Sequence, residues 1–400
     1  MKLFKSLLVA PAALGLMAPI TASASEVNLN DISNYSDVDS IEFANSFNNE
    51  ETSSESPLLA GGEGLVSGSS YDGSFSETTT ASFSLDFLLG AEEGKGIESA
   101  TETDGDEAVE FNYSFQIDLN TSFTGEDSLD ISIDAGDIDG DASGDATSPN
   151  LEFDPNATKD VLTVDGIAYT FPVGDLTLFV GSDSDGSALF TTACVYGGPS
   201  NTLDDCGNVN AGITGGGVAA GASYDVGNGC TAAFGIQATE SGILTEETKK
   251  DAYAFNAAYT ADNFGLSITY ANVEDGTGTT EDSFTALNGY VDFEGFPTLS
   301  AGVEYGDDDS STIDWDDQTM YYFIGSTYEI GPGEVGVAWG THNVNKGATE
   351  NVDDEIMMEA YYSYPVNDGM TITPLIYSKE QKSAAKPDLT GVMVKTSFSF

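Results

Sequence analysis

The sequence predicts an all-β fold, a transmembrane antiparallel β-barrel of about 16 strands with short periplasmic turns and long acidic external loops. Three observations lead to this prediction. From about residue 78 onward, apolar and polar residues alternate in segments of about 9 to 11 residues, which suits a tilted crossing of a bilayer. Short and long connections alternate between these segments. Beyond the N-terminal segment, no stretch approaches the roughly 20 consecutive apolar residues that a spanning helix requires.

The N-terminal segment, MKLFKSLLVAPAALGLMAPITASA, has two lysines, an apolar stretch and a small-residue triplet, which together predict a secretory signal peptide. We expect cleavage after Ala24, Sec-dependent export and a final location in the outer membrane. Residues 25–70 are rich in Ser, Asn, Glu and Gly without strand or helix periodicity, which predicts a flexible periplasmic linker. Residues 71–400 then form the barrel.

Each predicted strand has one apolar face. In TTTASFSLDFLLG the apolar face runs from Phe83 to Leu89, and in EFNYSFQIDLNTSF it runs from Phe111 to Leu119. The regular alternation recurs in SLDISIDA, FGLSITYA, TLSAGVEYG and EIMMEAYYSYP. The apolar face is expected to contact lipid, and the opposite face to line the lumen.

Two segments alternate less regularly. VLTVDGIAYTF changes phase at Asp165 and Gly166, which predicts either a bulge or a turn. SFTALNGYVDF alternates poorly, so counts of about 14 or 18 strands stay open beside 16.

A soluble β-sandwich would have similar strands, but the second face of these strands shows no apolar core, which favours a barrel in lipid.

The connections alternate in length, as in a barrel with periplasmic turns and external loops. Seven short connections hold turn formers, around residues 123–127, 172–175, 227–229, 260–263, 293–297, 331–333 and 365–369. Eight longer connections hold much of the acid, at about 91–108, 137–160, 183–215, 241–250, 274–282, 306–318, 343–354 and 379–388.

The C-terminal segment VMVKTSFSF alternates up to its last residue, Phe400. This pattern predicts a final strand that closes the barrel and removes the sheet edge. We expect Phe400 to be needed for assembly and the terminal strand to contact the barrel-assembly machinery.

The formal net charge is −56, and all 11 basic residues are lysine. A nucleic-acid partner is excluded, because the chain lacks the cations that neutralise phosphates. Catalysis is not predicted either, since His342 is the single histidine and there is no nucleophile elbow or phosphate-binding loop. The sequence predicts no cofactor and no metal site.

Carboxylates dominate the predicted lumen face. The candidate pore-lining residues are Asp86, Asp118, Asp130, Asp134, Asp225, Glu304, Glu359 and Lys395. A ring of carboxylates in a narrow, low-dielectric opening attracts cations, although such residues can also simply keep a lumen hydrated.

The third long loop, residues 183–215, carries Asp204 and Asp205 as candidate constriction residues. Folding of this loop into the lumen and an outward cap are both open.

The same loop carries Cys194 and Cys206 in the segment CVYGGPSNTLDDC, a spacing that an exported protein can close as a disulfide. Cys230 is left over and is interpreted as a small apolar filler. Three cysteines and one histidine make a structural zinc site improbable.

Several segments resemble the outer-membrane porins of cyanobacteria, especially the short forms of marine picocyanobacteria. They are MKLFKSLLVAPAALGLMAP, GSFSETTTASFSLDFLLG, ACVYGGPSNTLDDCG, MTITPLIY and the closing MVKTSFSF. The resemblance implies a trimeric channel of sixteen strands for passive uptake, of the carbohydrate, inorganic-ion or iron-uptake type. Longer members carry an S-layer homology domain and a coiled coil, and residues 25–70 show neither.

We therefore expect a passive outer-membrane diffusion channel for small hydrophilic solutes and inorganic ions, with a preference for cations. Its expected partners are outer-membrane lipid, the solutes and two further copies of the chain. The alternative is a surface structural or adhesion barrel that is closed to solutes and whose acidic loops bind divalent cations.

Overall fold

The computed structural model describes residues 79–93, 109–137, 158–200, 203–215, 217–238, 251–274, 281–308, 318–346, 352–380 and 388–400. The predicted signal peptide and the predicted linker at 25–70 lie outside these residues. All described residues belong to one compact unit, Leu65–Phe400. Within them no helix has the length and hydropathy needed to cross a membrane.

The described residues form sixteen strands in chain order. They are β1 Thr79–Glu93, β2 Glu110–Thr121, β3 Ser128–Gly136, β4 Thr163–Val173, β5 Leu176–Ser182, β6 Val218–Gly227, β7 Cys230–Ala238, β8 Asp251–Thr260, β9 Phe264–Glu274, β10 Glu281–Val291, β11 Thr298–Asp308, β12 Gln318–Ile330, β13 Gly333–Lys346, β14 Val352–Asn367, β15 Met370–Lys379 and β16 Leu389–Ser399.

The strands form one closed antiparallel barrel in which each pairs with its neighbours in sequence and β16 pairs with β1. The prediction of a closed barrel of 16 strands is confirmed. At the β1–β16 seam the backbone N–H groups of Phe83 and Phe400 each donate to the other residue's carbonyl, at 2.9 and 3.1 Å. The two rings stack with centroids 5.5 Å apart. The last residue is therefore part of the closure, as the terminal alternation predicts.

Short turns and longer connections alternate around most of the barrel, as predicted. The predicted long connections at 274–282 and 343–354 are the exceptions, because the strands leave only residues 275–280 and 347–351, which are no longer than the connection 292–297. The turn between β6 and β7 shows why the turn formers are placed where they are. Asn228 and Gly229 have positive φ angles of 55° and 82°, which match a two-residue hairpin turn of type I′. We call the two ends of the barrel the short-turn end and the long-loop end.

The phase change predicted in β4 is a bulge. Ser132 of β3 pairs with Gly166, and the next residue, Ile133, pairs with Val164. Asp165 is therefore the extra residue of the bulge, and β4 continues beyond it as one strand. A similar register shift falls at His342 in β13, between Thr341 and Asn343.

The strand register confirms the predicted apolar faces. Phe83, Leu85, Phe87 and Leu89 lie opposite Ile117, Phe115, Tyr113 and Phe111, respectively. The same outer face around the barrel exposes large apolar side chains, which include Leu89, Phe111, Phe255, Leu266, Ile268, Leu287, Ile324, Val337, Met358 and Ile376. A band of this kind is what a wall facing lipid requires.

The inner face departs from the expectation that it lacks an apolar core. One buried cluster contains Leu88, Tyr196, Leu203, Cys206, Phe323, Ala338, Met357, Tyr361, Leu375, Tyr377 and Met393. A second contains Ala211, Ile213, Ala254, Ala271 and Ala286. Both clusters join the wall to the third long loop, so the inward apolar side chains serve to hold that loop.

Candidate functional site in the barrel lumen

The third long loop, residues 183–217, is here called loop L3 and connects β5 to β6. Its first limb is extended and crosses the wall strands. The backbone N–H groups of Thr191, Ala193 and Val195 donate to side chains of three different wall strands. The acceptors are Asn256 Oδ1 on β8 at 3.0 Å, Ser267 Oγ on β9 at 2.9 Å and Ser300 Oγ on β11 at 3.1 Å.

The return limb of loop L3 is held by a carboxylate. Glu304 on β11 is fully buried and accepts three hydrogen bonds from the loop. The donors are the Asn210 N–H at 2.8 Å, Asn210 Nδ2 at 2.7 Å and the Ala211 N–H at 2.7 Å. Next to it, Asn288 Nδ2 on β10 donates to the Cys206 carbonyl at 2.9 Å. These polar side chains satisfy backbone groups that the buried loop would otherwise leave unpaired.

Loop L3 lies inside the barrel. The wall side chains to which it is hydrogen-bonded, on β7 to β11 and on β14, belong to the face opposite the exposed apolar band. The larger apolar cluster also joins Leu203 and Cys206 of the loop to inward side chains on β12 to β16 and on β1. A segment that packs against strands so far around a closed wall must occupy the lumen. Of the two arrangements left open by the sequence, the structure has the inward one.

A disulfide between Cys194 and Cys206 joins the two limbs of loop L3, with the Cα atoms 6.4 Å apart. This pairing is the one that the sequence predicts. Cys230 is a free thiol at the start of β7. The bridge fixes the outbound limb to the return limb at the point where the loop turns.

Tyr196 anchors the far side of loop L3. Its hydroxyl donates to Glu359 Oε1 on β14, and its ring lies 5.3 Å from that of Phe323 on β12. Burial raises the pKa of Tyr196 well above its ordinary value, and the charge of Glu359 adds to the effect. Tyr196 therefore stays a hydrogen-bond donor at any physiological pH.

Two wall glycines let the loop approach closely. A Cβ on Gly302 of β11 would clash with the Cys206 carbonyl oxygen, and a Cβ on Gly235 of β7 would clash with the Gly186 carbonyl oxygen. At both positions the absence of a side chain is needed because loop backbone occupies the space.

The predicted constriction residues Asp204 and Asp205 have different surroundings. Asp204 is exposed, although the nearby wall removes enough water to raise the pKa of its carboxyl group. Lys395 lies close enough to oppose that shift. Asp205 is partly buried and accepts a hydrogen bond from the Gly207 N–H at 2.9 Å. Burial raises its pKa to about 7. Asp204 and Asp205, although adjacent in sequence, thus differ in their access to water.

The wall that loop L3 leaves uncovered holds four of the candidate residues. We call it the open wall and define it as the inner faces of β1, β2, β3 and β16 on the short-turn side of Leu88 and Met393. On it, Lys395 Nζ lies 3.2 Å from Asp86 Oδ2. The other two members, Asp118 and Asp130, are partly exposed.

Neutral side chains surround the remaining carboxylates of this region. Asp118 accepts hydrogen bonds from Gln116 Nε2 at 2.7 Å and Ser132 Oγ at 2.8 Å. Asp130 accepts from Asn120 Nδ2, and from Ser128 Oγ at 2.7 Å. Neutral donors orient a carboxylate without cancelling its charge. The field of these two groups therefore extends into the lumen.

The other candidate residues are dispersed. Asp134 is buried near the long-loop end of β3 and accepts a hydrogen bond from Thr163 Oγ1 at 2.7 Å. Asp225 is exposed near the short turn between β6 and β7. Glu304 and Glu359 face inward, but loop L3 covers them, so they contact the loop rather than the water of the lumen.

Sequence reasoning missed the side chains that position the loop, above all Asn256, Ser267, Asn288, Ser300 and Tyr196. The alternation places the four wall residues on the inner face, since each stands between outward apolar residues. Nothing in the local pattern indicates that their partners lie in a loop. In the part of the chain that the structure describes, no group of three or more His, Cys, Asp or Glu side chains could hold a metal ion.

Comparisons with known proteins agree with this architecture. The model of a family described as Gram-negative porin matches residues 164–377. Among solved structures, Pseudomonas putida OprB at high pH has a TM-score of 0.57 and 11% identity, over 81% of this chain and 94% of that one. A double mutant of the Rh. blastica porin has a TM-score of 0.53 and 12% identity, over 80% of this chain and 100% of that one. No curated protein sequence matches the chain.

At these identities the solved structures show the shared fold alone. The family model is the stronger evidence because it spans more than half of the chain and includes loop L3 with its cysteine bridge. The chain therefore belongs to the Gram-negative porins, the outer-membrane β-barrel channels for small solutes.

Proposed function

We propose that this porin is a passive channel that admits small hydrated cations more readily than anions of the same size. The single observation that carries the proposal is the open wall, where Asp118 and Asp130 face the lumen with neutral hydrogen-bond partners. Carboxylates beside a narrow aqueous path between low-dielectric walls raise the local concentration of cations. Transport needs no energy source, because the solute follows its own gradient.

We further propose that the narrowest part of the path lies between the tip of loop L3 and the open wall. Asp204 is exposed at that tip, and the charge of Lys395 acts on it. Lys395 in turn pairs with Asp86. A solute that passes here meets one cationic side chain, Lys395, and two carboxylates, those of Asp86 and Asp204. The net charge of these three groups is negative, which favours the passage of cations. Asp205 contributes less, since burial keeps much of it protonated near neutral pH.

The rival function is a closed structural barrel whose acidic loops bind divalent cations at the cell surface. One observation favours it, namely that two apolar clusters and loop L3 fill much of the inner space next to β7 to β16. The long acidic connections that would bind the cations lie mostly outside the described residues.

Four finer points stay predictions of the sequence. They are kinship with the short cyanobacterial porins, uptake of iron or carbohydrate, a trimeric assembly and signal-peptide cleavage after Ala24. A role of Phe400 in assembly is proposed from its contacts at the seam. Deletion of Phe400 should leave unassembled periplasmic protein. Gel electrophoresis with and without heating tests this, because a folded barrel changes its mobility on heating and an unassembled chain does not.

Planar-bilayer recording of the purified protein tests the proposal. Stable open steps and a reversal potential that favours K⁺ over Cl⁻ in a KCl gradient are expected. The preference should shrink at high salt, because the screening length falls from about 10 Å at 0.1 M to about 3 Å at 1 M. An anion-selective channel would contradict the cation preference, and a protein without open steps would favour the closed structural barrel.

A further inference from the structure

A cavity of about 420 Å³ lies at the long-loop end, between the return limb of loop L3 and strands β7 to β10. Its size falls in the range of small-molecule pockets, about 300 to 1,000 Å³. It is separate from the open wall, which lies on β1 to β3 and β16. None of the residues predicted to line the pore or the constriction belongs to it.

The inner part of this cavity is apolar. Ile213 of loop L3, Ala252 of β8, Val273 of β9 and Phe284 of β10 line it. The same four residues belong to or pack against the smaller apolar cluster under the loop. Apolar surface of this kind favours a ligand with a hydrocarbon or aromatic body rather than a fully hydrated ion.

Three carboxylates line the same cavity, those of Asp251, Glu274 and Asp282. They stand at the long-loop ends of β8, β9 and β10, respectively. Asp251 Oδ1 is enclosed by protein and accepts no hydrogen bond from the residues that the structure describes. The carboxylate of Asp251 is therefore short of donors, and an ammonium group has three donors to offer.

Polar groups that could orient a ligand complete the lining. Gln237 of β7 is held in place because its Oε1 accepts the Gly186 N–H at 2.9 Å. Asn210 is held by its hydrogen bond to Glu304. An inorganic cation is a poor fit, since no described set of three carboxylate, thiolate or imidazole side chains could surround a metal ion. The combination of an apolar interior with carboxylates suits a primary amine that carries an apolar body.

We propose that this cavity is a binding site for small organic cations, specifically primary ammonium compounds with a short apolar or aromatic body. The proposal rests on the proposed preference for cations and names a solute class for it. The site lies at the long-loop end, where such a solute would be held beside the path before it reaches the tip of loop L3. Occupancy would enrich the amine relative to a neutral analogue of the same shape.

Phenethylammonium is a suitable probe, with 2-phenylethanol as its neutral counterpart of similar shape. Isothermal titration calorimetry of the full folded chain in detergent at low salt should show saturable binding of one phenethylammonium per chain. The alcohol should bind about tenfold more weakly, because it brings no positive charge to the carboxylates and offers Asp251 only one hydrogen-bond donor in place of three. Absence of saturable binding, or equal affinity for the two probes, would overturn the proposal.

Variants then locate the site. The double substitution Asp251→Asn with Asp282→Asn should raise the dissociation constant of phenethylammonium about tenfold, since it removes two of three charges. Asp262→Asn is the matched control, because it removes one exposed charge from the short-turn end of the same β8–β9 hairpin and should leave the affinity unchanged. Equal effects of the double variant and the control would reject the site.

A third variant keeps the test decisive if the double variant does not fold. Thr214 lines the cavity from an exposed position of loop L3. Thr214→Trp should fill the cavity without removing a charge and should abolish saturable binding.

Calorimetry also separates the proposed cation preference of the channel from the proposed amine site, because a non-conducting or unselective barrel could still bind the amine. Conversely, a cation-selective channel without saturable amine binding would remove only the cavity site.

Discussion

The inward-facing carboxylates of the barrel wall have different partners in two regions, the region that loop L3 covers and the open wall. On the side covered by loop L3, Glu304 and Glu359 accept hydrogen bonds from Asn210, Ala211 and Tyr196 of the loop. On the open wall, Asp118 and Asp130 accept hydrogen bonds from neighbouring side chains of the wall itself. An inward carboxylate at the same position of the strand repeat thus fixes a loop in one place and faces the lumen in the other.

This difference teaches that an inward carboxylate does not by itself indicate a pore-lining role. A buried carboxylate that accepts backbone N–H groups contributes mainly to the order of the loop, because its charge is used by its donors. A partly exposed carboxylate with neutral donors keeps its field in the water of the lumen. The covered side should therefore govern loop order, and the open wall should govern selectivity.

The largest expected effect belongs to Glu304→Ala. The substitution removes three hydrogen bonds to a charged acceptor and leaves the N–H groups of Asn210 and Ala211 without partners. We expect loop L3 to lose about 4 kcal/mol of local stability. Hydrogen–deuterium exchange of the loop amides measures this, and channel conductance should rise as the loop leaves the lumen.

Asp130→Ala on the open wall is the matched control for Glu304→Ala. Its donors are side chains that can turn to water, so we expect a change below about 1 kcal/mol and normal exchange of the loop amides. Equal loss of loop protection in the two variants would contradict the division between the covered side and the open wall.

The next largest effect is expected for removal of the disulfide by Cys194→Ala with Cys206→Ala. The bridge spans a sequence separation of 12 residues, and a loop of this length gains about 3 kcal/mol from cross-linking. Loop protection should fall by this amount in hydrogen exchange, while the barrel stays folded. Cys230→Ala, which changes the free thiol, should behave like the parent protein. Unchanged exchange in the double variant would show that the wall contacts suffice.

The third prediction concerns pH and Asp205. Its pKa is about 7 in the folded protein because of burial, whereas an unfolded aspartate has a pKa of about 3.9. Between these values the folded state retains a proton that the unfolded state has lost. The stability from Asp205 is therefore complete below about pH 4 and is lost as the pH rises through 7.

We expect the free energy of unfolding to fall by about 2 kcal/mol between pH 5 and pH 8 on account of Asp205. Urea unfolding in detergent micelles at both pH values measures it. Asp205→Asn should reduce the pH dependence by that amount, and Asp262→Asn, at an exposed turn, should not alter it. An identical pH dependence in the parent and the Asp205→Asn variant would contradict the assigned burial effect.

The smallest effect in energy is expected for selectivity. Asp118→Asn with Asp130→Asn should lower the K⁺/Cl⁻ permeability ratio about twofold, because two uncompensated charges leave the open wall. Asp204→Asn should act in the same direction, and Asp205→Asn should act less at neutral pH because this carboxyl is largely protonated. Reversal potentials at 0.1 M salt compare the four proteins. A stronger effect of Asp205→Asn than of the open-wall pair would reverse the proposed roles.

Much of the barrel could be predicted from the sequence because strand alternation is a local property. A period of two places Phe87 outward and Asp86 inward wherever the strand lies. The turn Asn228–Gly229 and the bulge at Asp165 are likewise encoded by residues within a few positions. The cysteine pair could be predicted because both partners lie in one loop.

The roles of the inward residues depended on contacts that no local pattern contains. The sequence by itself determined the alternating strands, their two faces, the order of short and long connections, and the excess of carboxylates. Only the tertiary structure decided that loop L3 enters the lumen and which carboxylates it covers. The physical reason is distance along the chain, since Glu304 meets Asn210 across a sequence separation of 94 and Glu359 meets Tyr196 across 163.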